Sequence, residues 1–249
     1  MTPLGSPLWA GSGPGLARAA GGRAASSRRA LALTAGLFAL AALSAGVTAW
    51  AALSGLHGAP GPARIRDFGF AAGLVALGAG LIGRFSPRRS PLAAPVFAVS
   101  GGVFAAGLTV AAELRFPGVA VTTLLIMAAA FITSLAVHVS GLIQVTARLR
   151  QAVFSAIAAV GVIYLGAFAL RLLGVEVAWL SGVGLGPALW HGAVAVLACL
   201  NLQIDFDRVG RLDRSGLEPA ADWHAALSVL TTLVWMYIAL LRMVRSLRR

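Results

Sequence analysis

Seven apolar runs, each near the length needed to cross a bilayer, constrain this chain more than any other feature. They occupy residues 30–53, 68–83, 91–114, 118–142, 151–173, 187–204 and 225–247. A helix crossing the hydrocarbon layer needs about 20 mostly apolar residues. The second and sixth runs are short, and the seventh carries Arg242 near its end. The composition agrees, with 59% hydrophobic and only 11% charged residues, whereas soluble domains carry about 25% charged. So much apolar area excludes disorder, and a lone cysteine, Cys199, excludes a disulfide framework or a cysteine-rich zinc site. The runs are Ala/Leu/Gly/Val blocks without the period-two alternation of barrel strands. The expected fold is all-α: a polytopic transmembrane bundle of seven helices over residues 30–249. Residues 1–29, rich in Gly, Pro, Ser and Ala with Arg18, Arg23, Arg28 and Arg29, are expected to form a flexible basic tail. A cleaved leader is the rival reading, but its apolar core would be about 7–15 residues, shorter than the first run.

The net charge of +12 comes entirely from arginine; no lysine occurs. These arginines sit at the ends of the runs rather than on one face of a folded domain, so a nucleic-acid partner is not expected. With the N-terminus inside, the inner segments hold Arg18, Arg23, Arg28, Arg29, Arg84, Arg88, Arg89, Arg148, Arg150, Arg208, Arg211 and Arg214. The outer loops hold Arg64, Arg66, Arg115 and Arg171. Twelve against four is the positive-inside bias that sets orientation. Arg242, Arg245, Arg248 and Arg249 disagree, because seven spans put that end outside. Either the last segment is re-entrant or its end follows the earlier helices.

Lipid gives helices little hydrophobic reason to associate, so close approach through small residues matters. Ala94, Ala98, Gly102 and Ala106 recur every fourth position in the third run, and Ala72, Ala76 and Gly80 in the second. Gly78, Gly80 and Gly83 spell G-x-G-x-x-G, but no strand precedes them and no βαβ unit follows; without lysine a P-loop is excluded too. Pro95 inside the third run is a candidate kink.

Polar groups at membrane depth are costly and therefore mark candidate sites. Thr122, Thr123, Thr133 and Ser134 can bond their own helix carbonyls. His57, His138, His191 and His224 show no paired metal-ligand spacing. Ser100-Gly101-Gly102 and Ser140-Gly141 lack the preceding glycine of a nucleophile elbow. No nucleophile–base constellation emerges, so no enzymatic activity, metal or cofactor is expected.

The segment Asn201-Leu202-Gln203-Ile204-Asp205-Phe206-Asp207-Arg208 stands apart. Five of the eight acidic residues fall between 205 and 222, and Asn201 is the chain's one asparagine. On a helix Asn201, Asp205 and Arg208 share a stripe. Two readings compete. Asp205 and Asp207 either pair with Arg208 and Arg211 in a solvated hairpin, or a carboxylate sits in a polar cavity where it gates or binds a cation. An EF-hand match starting at Asp205 fails, because Val209 and Gly216 occupy ligand positions. A hairpin turning near residue 218 puts Asp205 beside residues 231–232. Arg242 then lies about 15 Å further along, near the opposite face, with Glu113 or Glu176 as partner or snorkelling to water.

These residues resemble the Bax inhibitor-1/YccA family in its bacterial branch. The likeness is densest in Leu200–Val209 and resumes in Asp222-Trp223-His224-Ala225-Ala226 and Thr232-Leu233-Val234-Trp235-Met236-Tyr237, ending Leu240-Leu241-Arg242. Weaker echoes are Ser90-Pro91-Leu92 and Phe116-Pro117-Gly118. The resemblance implies six helices around a central seventh in the bacterial cytoplasmic membrane. It further implies a pH-sensitive calcium leak in which two aspartates on the last two helices share a proton. Asp205 matches the first of them; Thr232 stands where the second is expected, with Asp207 as a candidate substitute. Ala239 stands where many bacterial relatives carry an acid.

Two functions follow. The first is a pathway for calcium or another cation through the bilayer-embedded bundle. The second is a non-transporting regulator that binds a membrane protease or stress-response partner, using the basic tail as its handle.

Overall fold

A computed structural model describes residues 24–54 and 62–248. Arg18, Arg23, His57 and Arg249 lie outside the described residues. Seven long helices form: α1 (Ser27–Leu53), α2 (Pro62–Phe85), α3 (Ser90–Glu113), α4 (Val119–Ser140), α5 (Ala147–Leu172), α7 (Leu185–Gly210) and α9 (Ala220–Leu247). Single turns α6 (Ala178–Ser181) and α8 (Leu212–Ser215) precede α7 and α9, and a 3-10 turn, Pro87–Arg89, precedes α3. Each long helix is long and apolar enough to cross a membrane. Among the described residues no strand forms.

Local chemistry explains the boundaries. Gly118 and Gly141 adopt φ of 85° and 69° on either side of α4, a left-handed geometry that glycine takes without steric cost. The Glu113 carboxylate accepts the Gly118 and Ala120 N–H groups at 2.7 and 2.8 Å, which satisfies free donors at the start of α4. Thr146 caps α5 by accepting the Leu149 N–H. Several helices extend past their apolar runs, α1, α7 and α9 among them. α7 continues six residues beyond position 204, α9 begins five before 225, and α1 starts at Ser27 instead of Ala30. The added residues include acids and arginines that neutralise one another, which linear hydropathy cannot register.

α9 occupies the middle of the bundle. It packs directly against α1, α2, α3, α4 and α7, while α5 packs on α7 from outside. Two apolar cores meet on it. Ala225, Val229, Leu233 and Met236 join Ala198 and Leu202 of α7, whereas Ala226, Leu227 and Leu230 join Leu37 of α1 and Ala94 and Ala98 of α3. α3 is buried as deeply as α9 and packs against α1, α2, α4 and α9. The last segment runs the full length of the bundle, not as a re-entrant hairpin. Asp222 near its start touches Ser26, and Ser246 near its end touches Gly184.

The small-residue stripe of α3 is a seam. Ala94, Ala98 and Ala106 are buried, and a Cβ on Gly102 would lie 2.3 Å from the Ala41 carbonyl oxygen of α1. Of the G-x-G-x-x-G glycines of α2, only Gly83 is tightly packed, because a Cβ there would meet the Leu227 side chain of α9. α3 continues through Pro95 as one helix. Gly102→Ala should force α1 away from α3 and lower stability by about 1–3 kcal/mol. Gly78→Ala, at an open position, should be near neutral in the same thermal-unfolding measurement.

Candidate functional site

The polar stripe of α7 closes onto α9 about 7–8 Å short of the helix end, at 1.5 Å per residue. Asp205 is 1% exposed. Its Oδ1 accepts the Ser228 hydroxyl at 2.7 Å, with Arg208 Nη1 at 3.4 Å. Its Oδ2 accepts the Thr232 hydroxyl at 2.6 Å, with Asn201 Nδ2 at 3.3 Å. The cage is cross-braced: Asn201 donates to Thr232 Oγ1 at 2.7 Å, and Arg208 donates to Ser228 Oγ at 2.8 Å. Asn201, Asp205, Arg208 and Thr232 thus converge as the stripe and hairpin register imply. Ser228 was not anticipated, although it lies one turn before Thr232 on the same face.

Asp207 does not supply a second acid. Two residues on from Asp205, it faces away from α9 and joins Arg211 at 2.8 Å and Arg150 of α5 at 3.3 Å. The two aspartates therefore divide the competing readings: Asp207 belongs to a part-exposed ion-pair cluster, and Asp205 to a buried cage. Arg84 of α2 adds a second positive charge within electrostatic range of Asp205. Among the described residues no three His, Cys, Asp or Glu side chains gather as a metal cluster.

A second polar layer lies towards the α7–α9 turn. The buried His224 Nδ1 donates to the Gly83 carbonyl at 3.1 Å, with the Ser90 hydroxyl 3.4 Å away, tying α9 to the α2–α3 junction. Beyond it, Asp222 Oδ1 accepts the Ser26 N–H at 2.7 Å, and Arg29 lies 3.1 Å from Oδ2. Asp213 accepts both the N–H and the hydroxyl of Ser27. Residues 25–29 are consequently docked on the α7–α9 turn and form part of the bundle.

At the opposite end Arg242 is separate from the cage, as its register requires. Its guanidinium lies 5.3 Å from the centre of the Tyr164 ring. Glu113 caps α4 and is not its partner; Glu176 lines the same cavity as Arg242. His191 is buried, donating from Nε2 to the Leu180 carbonyl at 3.1 Å and accepting at Nδ1 from the Tyr164 hydroxyl at 3.2 Å.

The sequence profile of the Bax inhibitor 1 like family matches residues 14–249. The chain belongs to that family. No curated protein and no solved structure matches it. As a Bax inhibitor 1 like protein it carries its buried carboxylate between hydroxyl, amide and guanidinium groups; among the described residues no second carboxylate hydrogen-bonds Asp205.

Asp205→Ala should be the more damaging change in the cage, because it leaves Arg208 without its acid at a cost of about 3–5 kcal/mol when burial is complete, less here. Ser228→Ala should cost about 1–3 kcal/mol through two lost hydrogen bonds. Thermal unfolding in detergent tests the order; an Asp205→Ala protein as stable as Arg214→Gln would contradict it. The Ser27 hydrogen bonds hold the Asp213 carboxyl below its usual range, the hydroxyl contributing most. A depressed acid stabilises above its unfolded value and loses that contribution as pH falls through the folded value. The Asp213 contact with Ser27, read by hydrogen exchange at the Ser27 amide, should therefore be constant between pH 5 and 8. Asp213→Asn should loosen it throughout that range.

Proposed function

We propose that this Bax inhibitor 1 like protein is a cation pathway, with calcium the favoured ion, held shut at its α7–α9 end by Asp205. The observation that carries this reading is the burial of a carboxylate between two spans, where it holds four side chains at once. Ionisable groups at membrane depth mark ion routes and proton relays more often than inert structure. The excess of arginine at this end supports a cytosolic orientation for it, and the family resemblance favours the cytoplasmic membrane of a bacterium.

The gate follows from the donors. Charged Asp205 accepts from Ser228, Thr232 and Asn201 and neutralises Arg208, and these bonds pull α7 against α9. A protonated carboxyl loses the ion pair and turns one acceptor into a donor. Arg84 and Arg208 then repel without compensation, and His224 lies within reach of both. A latch of one acid among hydroxyls and guanidinium is thus closed when deprotonated, and needs no proton shared between two acids. Once α7 and α9 part, the Asp205 carboxylate and main-chain carbonyls offer the hard oxygen donors that calcium takes.

A regulator without transport is the second reading. It is favoured by the arginines around the cavity at the other end of the bundle, which oppose cation entry. Liposomes decide between the two. Calcium efflux should rise as pH falls from 8 to 5, and Asp205→Asn should leak faster and lose the pH response. Efflux equal to that of empty liposomes at every pH removes the pathway and leaves the regulator. For the regulator, removal of residues 1–23 should abolish capture of its partner; the cut stops there because residues 25–29 belong to the bundle.

A further inference from the structure

The end of the bundle remote from Asp205 holds a cavity of about 1090 Å³ that shares wall residues with a second of about 610 Å³. The floor is α3 and α9, and the sides are α2 and α5. Two chemistries line it. Phe70, Phe104, Leu108 and Phe168 make an apolar slot, and Arg115, Arg171, Arg242 and Arg245 stand at its outer end. The arginines come from the ends of α3, α5 and α9, so three separate helices deliver them to one place.

The charge there is not balanced. The acids on these walls are Asp67 and Glu176, two against four arginines. Glu113 is nearby but is engaged by the start of α4. Among the described residues Arg115, Arg171 and Arg242 form no ion pair. Arg245 is within electrostatic range of both Arg242 and Arg115, so like charges are held together. Such crowding costs free energy unless an anion joins it. Guanidinium groups suit phosphate in particular, through paired N–H donors.

The apolar slot identifies the source of that anion. α2 and α5 do not pack closely, and the Phe70 and Phe168 rings stack across the opening with centroids 6.3 Å apart. Phe70, Phe168 and Leu172 are about half or more exposed on the outer side, the face turned to the acyl chains. A soluble anion needs no greasy slot beside its charge site. We propose that this cleft binds one anionic phospholipid, its phosphate between Arg115 and Arg171 and an acyl chain along Phe70, Phe104 and Phe168. The inference is independent of whether the bundle conducts cations.

The full chain, delipidated in detergent, can be titrated with phosphatidylglycerol, phosphatidylcholine and inorganic phosphate, with bound lipid counted by native mass spectrometry. One phosphatidylglycerol should bind at least tenfold tighter than phosphatidylcholine. Arg115→Gln/Arg171→Gln should remove that preference, whereas Arg214→Gln at the other end should not. Equal binding of the two lipids, or an unchanged preference in the double variant, overturns the proposal. Hydrogen exchange on the unmodified protein covers the case in which the double variant does not fold. Phosphatidylglycerol should protect residues 104–116 and 168–173; the same protection by inorganic phosphate alone would make this a soluble-anion site and end the lipid assignment.

Discussion

The cage around Asp205 is the interaction on which the rest of this bundle depends, because a carboxylate below the membrane surface tolerates few surroundings. Insertion scales put an acid at the middle of a span at about 3 kcal/mol unfavourable. Here the charge meets a guanidinium from its own helix and two hydroxyls from the neighbouring one. That arrangement fixes the register of α7 on α9. Sliding either helix by one turn would replace one of those two hydroxyls with His224 or Met236 and leave Asp205 short of a donor. With the register set, Ala198 and Leu202 meet Leu233 and Met236, and the other side of α9 is presented to α1 and α3.

Two kinds of cohesion then divide the molecule. Through the middle, small residues let backbones approach, as where Gly102 admits the Ala41 carbonyl and Gly83 admits Leu227. At the α7–α9 turn, cohesion is ionic and hydrogen-bonded, through Asp213, Asp222, His224 and Asp207. The opposite end has a different character, with arginines in excess and open space between α2 and α5. The bundle is therefore tight at one face of the membrane and loose at the other.

Much of this was legible in the chain. The seven spans follow from length and hydropathy, and Asp205 falls opposite Thr232 by counting outward from a turn near residue 218. The same count places Ser228 one turn away, but a helical serine by default bonds its own carbonyls, so nothing marked it. Asp207, the candidate substitute acid, lies two residues on and turns to Arg150 and Arg211 instead, because alternate residues on a helix point apart. The extra turns of α7, α9 and α1 escaped notice because their charges are cancelled by residues distant in sequence. The convergence of Arg115 and Arg171 is equally hidden, since each looks like an ordinary end-of-span arginine until the ends of α3 and α5 line one cavity.

The docking of residues 25–29 bears on how the chain is made. The Ser26 N–H finds its acceptor in Asp222, 196 residues later. At synthesis rates of roughly 5–20 residues per second, the first helix waits on the order of 10–40 s before its entry turn is satisfied. Until then α1 can pack on α3, but its entry turn lacks the Asp222 acceptor. The finished assembly is sealed when its final helix arrives, so a truncated translation product would present an unclosed bundle to the quality-control proteases of the membrane.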